Sequence, residues 1–209
     1  MQSNIKCIIF DLGGVLIEWD LPQIIQTLYG QDSSQANYLI QNLSANTEFK
    51  SLEVAYQKGL FTLSQMIFHT AQVLNISPHV AQVFFEQSEQ FLRPIQSNIE
   101  ILKSLSQYRL LILSNTSHNH IQFMKNNYHF FNVFERCYFS CELGMAKPDL
   151  EIFQYLQKDL DLDFSTCFFI DDTKENILAA KSLGLSVLHH PNGKDLTTSL
   201  KLTGLISWI

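Results

Sequence analysis

Cys7-Ile8-Ile9-Phe10-Asp11-Leu12-Gly13-Gly14-Val15-Leu16 decides the fold, because an apolar run ends on a carboxylate and a Gly-Gly turn follows at once. A short apolar run closed by turn residues reads as a buried strand. In open α/β sheets, ligands bind outside the carboxyl ends of the strands, so Asp11 stands where a nucleophile or metal ligand belongs. Taken alone, a strand-end Asp is more often a helix cap or a solvated loop group. Three later segments shift that balance: Leu111-Ile112-Leu113-Ser114-Asn115-Thr116, Ala146-Lys147-Pro148-Asp149 and Phe168-Phe169-Ile170-Asp171-Asp172. Two of them also end apolar runs on polar groups.

Working outward, strand-like runs fall at Lys6 to Phe10, Leu110 to Ser114, Arg136 to Ser140, Thr166 to Ile170 and Leu185 to His189. Helix-period segments at Ile95 to Tyr108, Asn119 to Asn126, Asp149 to Leu160 and Lys174 to Leu183 alternate with them, the pattern of a parallel sheet with helical crossovers. The expected core is a doubly wound, Rossmann-like α/β sheet. Asp11 and Ser114 are 103 residues apart, too far for one strand-helix connection. The intervening stretch carries amphipathic patterns at Leu21 to Tyr29, Ala36 to Leu43, Leu52 to Gln57, Leu63 to Leu74 and His79 to Gln90, with no convincing strand. Breaks at Gly30, Gly59 and Pro78 divide it, and Arg93-Pro94 marks the return to the core. The expected division is therefore residues 1–17 and 93–209 as the core, with 18–92 as an inserted all-helical unit.

Asp11, Ser114, Lys147 and the Asp171-Asp172 pair, in that order, resemble the four motifs of the haloacid dehalogenase-like hydrolase superfamily, and the likeness spans Lys6 to about Leu188. The resemblance implies a helical cap over the active site and Mg2+-dependent phosphoryl transfer. In it, Asp11 forms an aspartyl-phosphate while its other oxygen binds Mg2+. Asp172 is the expected direct second ligand, Asp171 an orienting group acting through water, and the Gly13 carbonyl the backbone ligand. These oxygens suit the octahedral preference of Mg2+. Ser114, the backbone N–H groups that follow it at Asn115, and Lys147 are the expected phosphate-binding groups. Asn176, four residues beyond Asp172, is placed either to orient that carboxylate or to face solvent. His118, His120, His189 and His190 form no trusted metal spacing, and Tyr128-His129-Phe130-Phe131 with Phe134 reads as packing between a helix and a strand.

Gly13 is the departure. Most phosphatases of this superfamily carry an Asp two residues after the nucleophile, to protonate the leaving oxygen and then activate water. A general acid/base is worth about 10²- to 10⁴-fold in rate. The chain thus resembles the Asp-Leu-Gly branch of helical-cap members, exemplified by glucose-1-phosphate phosphatases. A sugar-1-phosphate has an anomeric oxygen that leaves readily, and Glu18 or Asp20 at the core-to-cap junction offers a substitute acid. Two other readings stand beside this one. Haloacid dehalogenases also lack the second Asp, but they need no Mg2+, which the retained Asp171-Asp172 pair argues against. A non-catalytic phosphate-binding or interaction protein on the same scaffold is the third.

Composition narrows the partners. The 209 residues are 46% hydrophobic, ample for a buried core, and only 16% charged. Fourteen basic residues against 20 acidic ones give a net charge of −6 without a basic cluster, so nucleic-acid binding is not expected. A phosphorylated metabolite would have to be held by local positive charge against that field. The 4 cysteines, Cys7, Cys137, Cys141 and Cys167, show no C-x-x-C spacing. Met1-Gln2-Ser3-Asn4 lacks a basic leader and no apolar run reaches 18 residues, which fits a reducing cytoplasm without a membrane partner. No motif in 18–92 names the substrate, and none marks an oligomer interface.

Overall fold

The computed structural model of the chain describes residues 4–31, 33–191 and 195–206. Met1–Ser3, part of the run read for a leader, lie outside them. Seven strands occur among the described residues: β1 (Cys7–Phe10), β2 (Ile17–Glu18), β3 (Arg93–Pro94), β4 (Arg109–Ser114), β5 (Arg136–Phe139), β6 (Cys167–Asp171) and β7 (Ser186–His189). Five form one parallel sheet in the order β5-β4-β1-β6-β7. The side-chain alternation of the central strands explains its two covered faces. Ile8, Phe10, Leu110, Ile112, Phe168 and Ile170 enter one cluster, while Cys7, Ile9, Leu111, Leu113, Cys167 and Phe169 enter another.

The helices are α1 (Leu21–Tyr29), α2 (Ser34–Ala45), α3 (Thr47–Gln57), α4 (Leu63–Val73), α5 (Pro78–Gln87), α6 (Gln96–Ile101), α7 (His118–Asn127), the short α8 (Ser140–Leu143), α9 (Leu150–Leu160), α10 (Lys174–Ser182) and α11 (Leu196–Thr203). Helices α7 and α11 cover one face of the sheet, and α9 and α10 the other. Where one helix was expected over Ile95 to Tyr108, α6 gives way at Leu102 to a tighter 3-10 turn over Leu102–Leu105. No helix among the described residues is long and apolar enough to cross a membrane.

Helices α1 to α5 fill the long gap, and each start is locally encoded. Asp20, Ser33, Asn46, Thr62 and Ser77 all accept a backbone N–H as N-caps, Thr62 with Gln65 as a capping box. Their apolar faces close a third cluster around Ile25, Leu39, Phe49, Met66 and Phe84. Trp19 packs on both this cluster and the core. One feature departs from the expected all-helical insertion. Ile17 and Glu18 pair antiparallel with Pro94 and Arg93, so a two-stranded ribbon joins the insertion to the core.

Candidate active site

Strand β1 ends at Phe10, and Asp11 follows with its backbone N–H bonded to the carbonyl of Ile170. The central strand therefore delivers its carboxylate beside the end of β6. The Asp11 Oδ1 accepts the backbone N–H of Leu12 at 2.7 Å and the Lys147 ammonium at 2.9 Å. Oδ2 has no partner among the described residues, so it is the oxygen open for chemistry.

Lys147 is the centre of the polar network. Its side chain is fully buried, with the ammonium 2.6 Å from Asp171 Oδ2 and 5.5 Å from the centre of the Phe169 ring. Burial alone would lower its pKa, but the Asp11 and Asp171 charges more than offset that and hold it above its usual value. Asn115 fixes the lysine's backbone from both sides. Its amide donates to the Lys147 carbonyl at 2.7 Å and accepts the Lys147 N–H at 2.9 Å.

The two adjacent aspartates have different surroundings. Asp171 is wholly buried and accepts from Lys147, from the Thr173 N–H at 2.8 Å and from the Asn176 amide at 3.0 and 3.1 Å. Asn176 thus braces Asp171 rather than Asp172, and it is buried rather than facing solvent. Asp172 is half-buried and bonds only locally, to Thr173 Oγ1 at 3.1 Å. His189 Nε2 lies 2.9 Å from the Asp172 carbonyl. Among the described residues, Asp11, Asp171 and Asp172 form the one cluster able to hold a metal ion, with ligand atoms within 4.8 Å of one another.

The charge balance of this cluster is unfavourable without a cation. Burial, then the Asp171 and Asp172 charges, push the Asp11 carboxyl up to about 7 against the opposing pull of Lys147. Burial, then Asp171, also raises Asp172. Three carboxylates share one ammonium, and a hard divalent cation supplies the charge that is missing. Asp11 and Asp172 have oxygens to offer it, whereas those of Asp171 are already engaged. Around Gly13, the backbone bridge to Ile17 uses the Leu12 carbonyl and the Gly14 N–H, which leaves the Gly13 carbonyl out of that pairing. Gly14 sits at φ +70°, and a Cβ there would overlap the Asp172 carboxylate. The second glycine, not the first, is required by the backbone.

These groups line a polar chamber of about 460 Å³, with Asp11, Lys147 and Asp172 at its floor and Glu53 and Gln57 from α3 at its roof. Ser114 is buried and lies on the wall of a second cavity, while Asn115 borders both. The backbone after Ser114 is held by Ser140, whose Oγ accepts the Thr116 N–H at 2.9 Å. The same Oγ donates to the Gln57 carbonyl at 2.6 Å, tying α3 to the core. The Lys58–Asp149 ion pair at 2.9 Å adds to that tie.

Neither substitute acid expected near the junction reaches the chamber. Asp20 caps α1 through the Gln23 N–H, and Glu18 is exposed on β2. The sequence reading missed Glu53, which no motif flags. Water reaches part of it, yet the surrounding cleft atoms desolvate its carboxyl and raise it above the usual range, against a smaller opposing effect of Lys50. The histidines do not gather as a ligand set. His120 is buried against Trp19, ring centres 5.3 Å apart, and burial pushes it down to about 4.

Comparison with known proteins was made on this geometry. A family model described as haloacid dehalogenase-like hydrolase matches residues 5–184. The sesquiterpene phosphatase astK of Aspergillus oryzae is 23% identical over 208 residues, covering 99% of each chain. A D-ribitol-5-phosphate phosphatase of Bacteroides thetaiotaomicron is 25% identical over 197 residues, 91% of this chain and 94% of that one. Among solved structures, an enzyme of the same family from that bacterium, in complex with magnesium and inorganic phosphate, superposes with a TM-score of 0.71 at 28% identity, covering 93% of this chain and 98% of the other.

Proposed function

The chain belongs to the haloacid dehalogenase-like hydrolase family, and from that premise we propose that it is a Mg2+-dependent phosphomonoester hydrolase working through an aspartyl-phosphate on Asp11. The observation that carries this reading is the Asp11 carboxylate, with Oδ1 held by Lys147 and the Leu12 N–H and Oδ2 open to the chamber. The names of the phosphatase relatives and the magnesium and phosphate of the similar structure support it. Residues 1–17 and 93–209 are read as the catalytic core and 18–92 as its cap, supported by the separate apolar cluster of the cap helices.

Each residue then has a task. Asp11 and Asp172, with the Gly13 carbonyl, would hold Mg2+, which when bound neutralises charge on the transferring phosphoryl group. Lys147 bridges Asp11 and Asp171, keeps Asp11 ionised for attack and adds positive charge beside the phosphate. Asp171 acts as a positioning residue: braced by Asn176 and Thr173, it fixes the lysine. Asp11 attacks phosphorus while the bond to the alcohol oxygen breaks. Water then attacks the same phosphorus, releasing phosphate and restoring Asp11.

With glycine at position 13, the proton for the leaving oxygen has to come from elsewhere. We assign that role to Glu53, which hangs over Asp11 from the cap and whose raised carboxyl suits an acid that must hold a proton and then accept one from water. On leaving-group grounds alone, a sugar-1-phosphate makes the smallest demand on such an acid, and it remains the finer reading that Gly13 supports. The test is phosphate release from a panel of phosphomonoesters with EDTA or Mg2+. Release abolished by EDTA and restored by Mg2+ is expected. Activity indifferent to the chelator, or halide release from 2-haloacids, contradicts the proposal.

A further inference from the structure

Beyond Gly13, Trp19 and Asn115 the polar chamber adjoins a second cavity of about 180 Å³. Glu53 and Gln57 border both, so the two spaces share a mouth beneath α3. The walls of the second are mostly hydrocarbon: Leu21, Leu43, Phe49, Met66 and Phe84 from the cap, and Met124 from α7.

The polar groups on these walls are already engaged. Ser117 Oγ accepts the His120 N–H as the cap of α7, at 3.4 Å. The Tyr56 hydroxyl donates to Asn119 Oδ1 at 3.2 Å, and the Thr116 N–H is taken by Ser140. His120, the one wall residue that titrates near neutrality, is held neutral by burial against Trp19. A polyol placed here would leave hydroxyls without partners, which is penalised, whereas a hydrocarbon would leave none. Walls of this kind favour apolar occupants, and a cavity of about 150 Å³ lined by Leu, Ile and Phe accommodates benzene.

We propose that the alcohol borne by the substrate's phosphate is apolar, a compact hydrocarbon body on the order of six to ten carbons, seated in this cavity while the phosphate lies at Asp11. This inference rests on the phosphatase reading and selects against the sugar-1-phosphate within it.

The test is a series of straight-chain alkyl phosphates, ethyl to octyl, on the Mg2+-loaded protein. All are primary alkyl esters, so leaving-group quality is nearly constant and chain length reports the cavity. Each methylene buried from water is worth about fourfold. From ethyl to hexyl phosphate kcat/KM should therefore rise about a hundredfold and then level off. Glucose 6-phosphate should be slower than hexyl phosphate. Met66→Trp, which fills the cavity, should lower the hexyl-to-ethyl ratio, with circular dichroism checking the fold.

A flat or falling series, or sugar phosphates outrunning hexyl phosphate, overturns the inference and leaves the phosphatase reading standing. The n-alkylphosphonates, read through Trp19 fluorescence, separate the two questions. If no ester is hydrolysed but phosphonate affinity climbs with chain length, the cavity assignment holds and the phosphatase reading falls. Phosphonate affinity that does not change with chain length overturns the cavity assignment whatever the catalytic result.

Discussion

The chamber at Asp11 and the cavity behind it meet at Gly13, Trp19 and Asn115, yet their walls come from different parts of the chain and obey different physics. The floor of the first is made by the ends of β1 and β6 and the loop bearing Lys147, with three carboxylates on one ammonium. Its groups are fixed by charge-assisted bonds whose geometry tolerates little change. The second is made mostly by α1 to α5, through side chains packed for shape and not for bonding. Chemistry resides in the rigid sheet edge and substrate choice in the inserted helices, so substitutions in the two regions should fail differently.

The largest separation is expected from Asp11→Asn. The amide keeps the shape and loses the nucleophile, and phosphate release should fall by at least about four orders of magnitude. Stability should not fall with it, because a buried carboxylate in an already over-acidic cluster has been removed. A thermal midpoint well below that of the natural protein would show that Asp11 holds the fold together, blurring the division between the chambers.

Next in size is Glu53→Gln, at the roof where the chambers meet. Loss of acid assistance should lower kcat by about 10²-fold or more on alkyl phosphates. An aryl phosphate, whose leaving oxygen needs no proton, should be nearly spared. An equal loss on both ester classes would mean that Glu53 only shapes the cleft.

The paired glycines give a smaller, structural contrast. Gly14→Ala must strain φ and press on Asp172, a cost of about 1–3 kcal/mol together with weaker Mg2+ binding. Gly13 has no positive φ, and a Cβ there meets nothing within 4 Å. Gly13→Ala should therefore stay within about 0.5 kcal/mol of the natural protein. Urea titration of both variants checks this, and equal losses would refute the assigned close approach.

The smallest effect is a pH dependence of metal stabilisation. The folded Asp11 carboxyl, at about 7, lies above its unfolded value of 3.8. Its contribution to the metal-free fold is therefore fully present below about pH 4 and is lost as pH rises through about 7. Mg2+ needs the ionised form, so its affinity should climb over the same window. The rise in thermal midpoint on adding Mg2+ should be larger at pH 8 than at pH 5.5. A larger rise at the lower pH would contradict the charge balance drawn for the cluster.

Much of the sheet edge was legible because parallel strands bring distant strand ends together. Asp11, Lys147, Asp171 and Asp172 could be placed near one another from apolar runs and their terminal residues alone. Side-chain direction was less accessible. Successive positions at a strand end point to opposite sides, and only coordinates assign Asn176 to Asp171 rather than to Asp172. The β2–β3 ribbon is two residues on each side, too short to leave a period. Glu53 and Ser140 escaped notice for another reason. Their roles come from packing between segments dozens of residues apart, and a lone Glu on an amphipathic helix looks like any solvated one.

The most direct measurement asks whether phosphate passes through Asp11. The Mg2+-loaded protein would be acid-quenched during turnover of a phosphomonoester and its peptides analysed by mass spectrometry. The account predicts a phosphoryl group on the peptide containing Asp11, present during turnover, gone once substrate is exhausted and missing in Asp11→Asn. Phosphate release that continues at full rate while Asp11 stays unmodified at every time, or a phosphoryl group found on another residue, would contradict it.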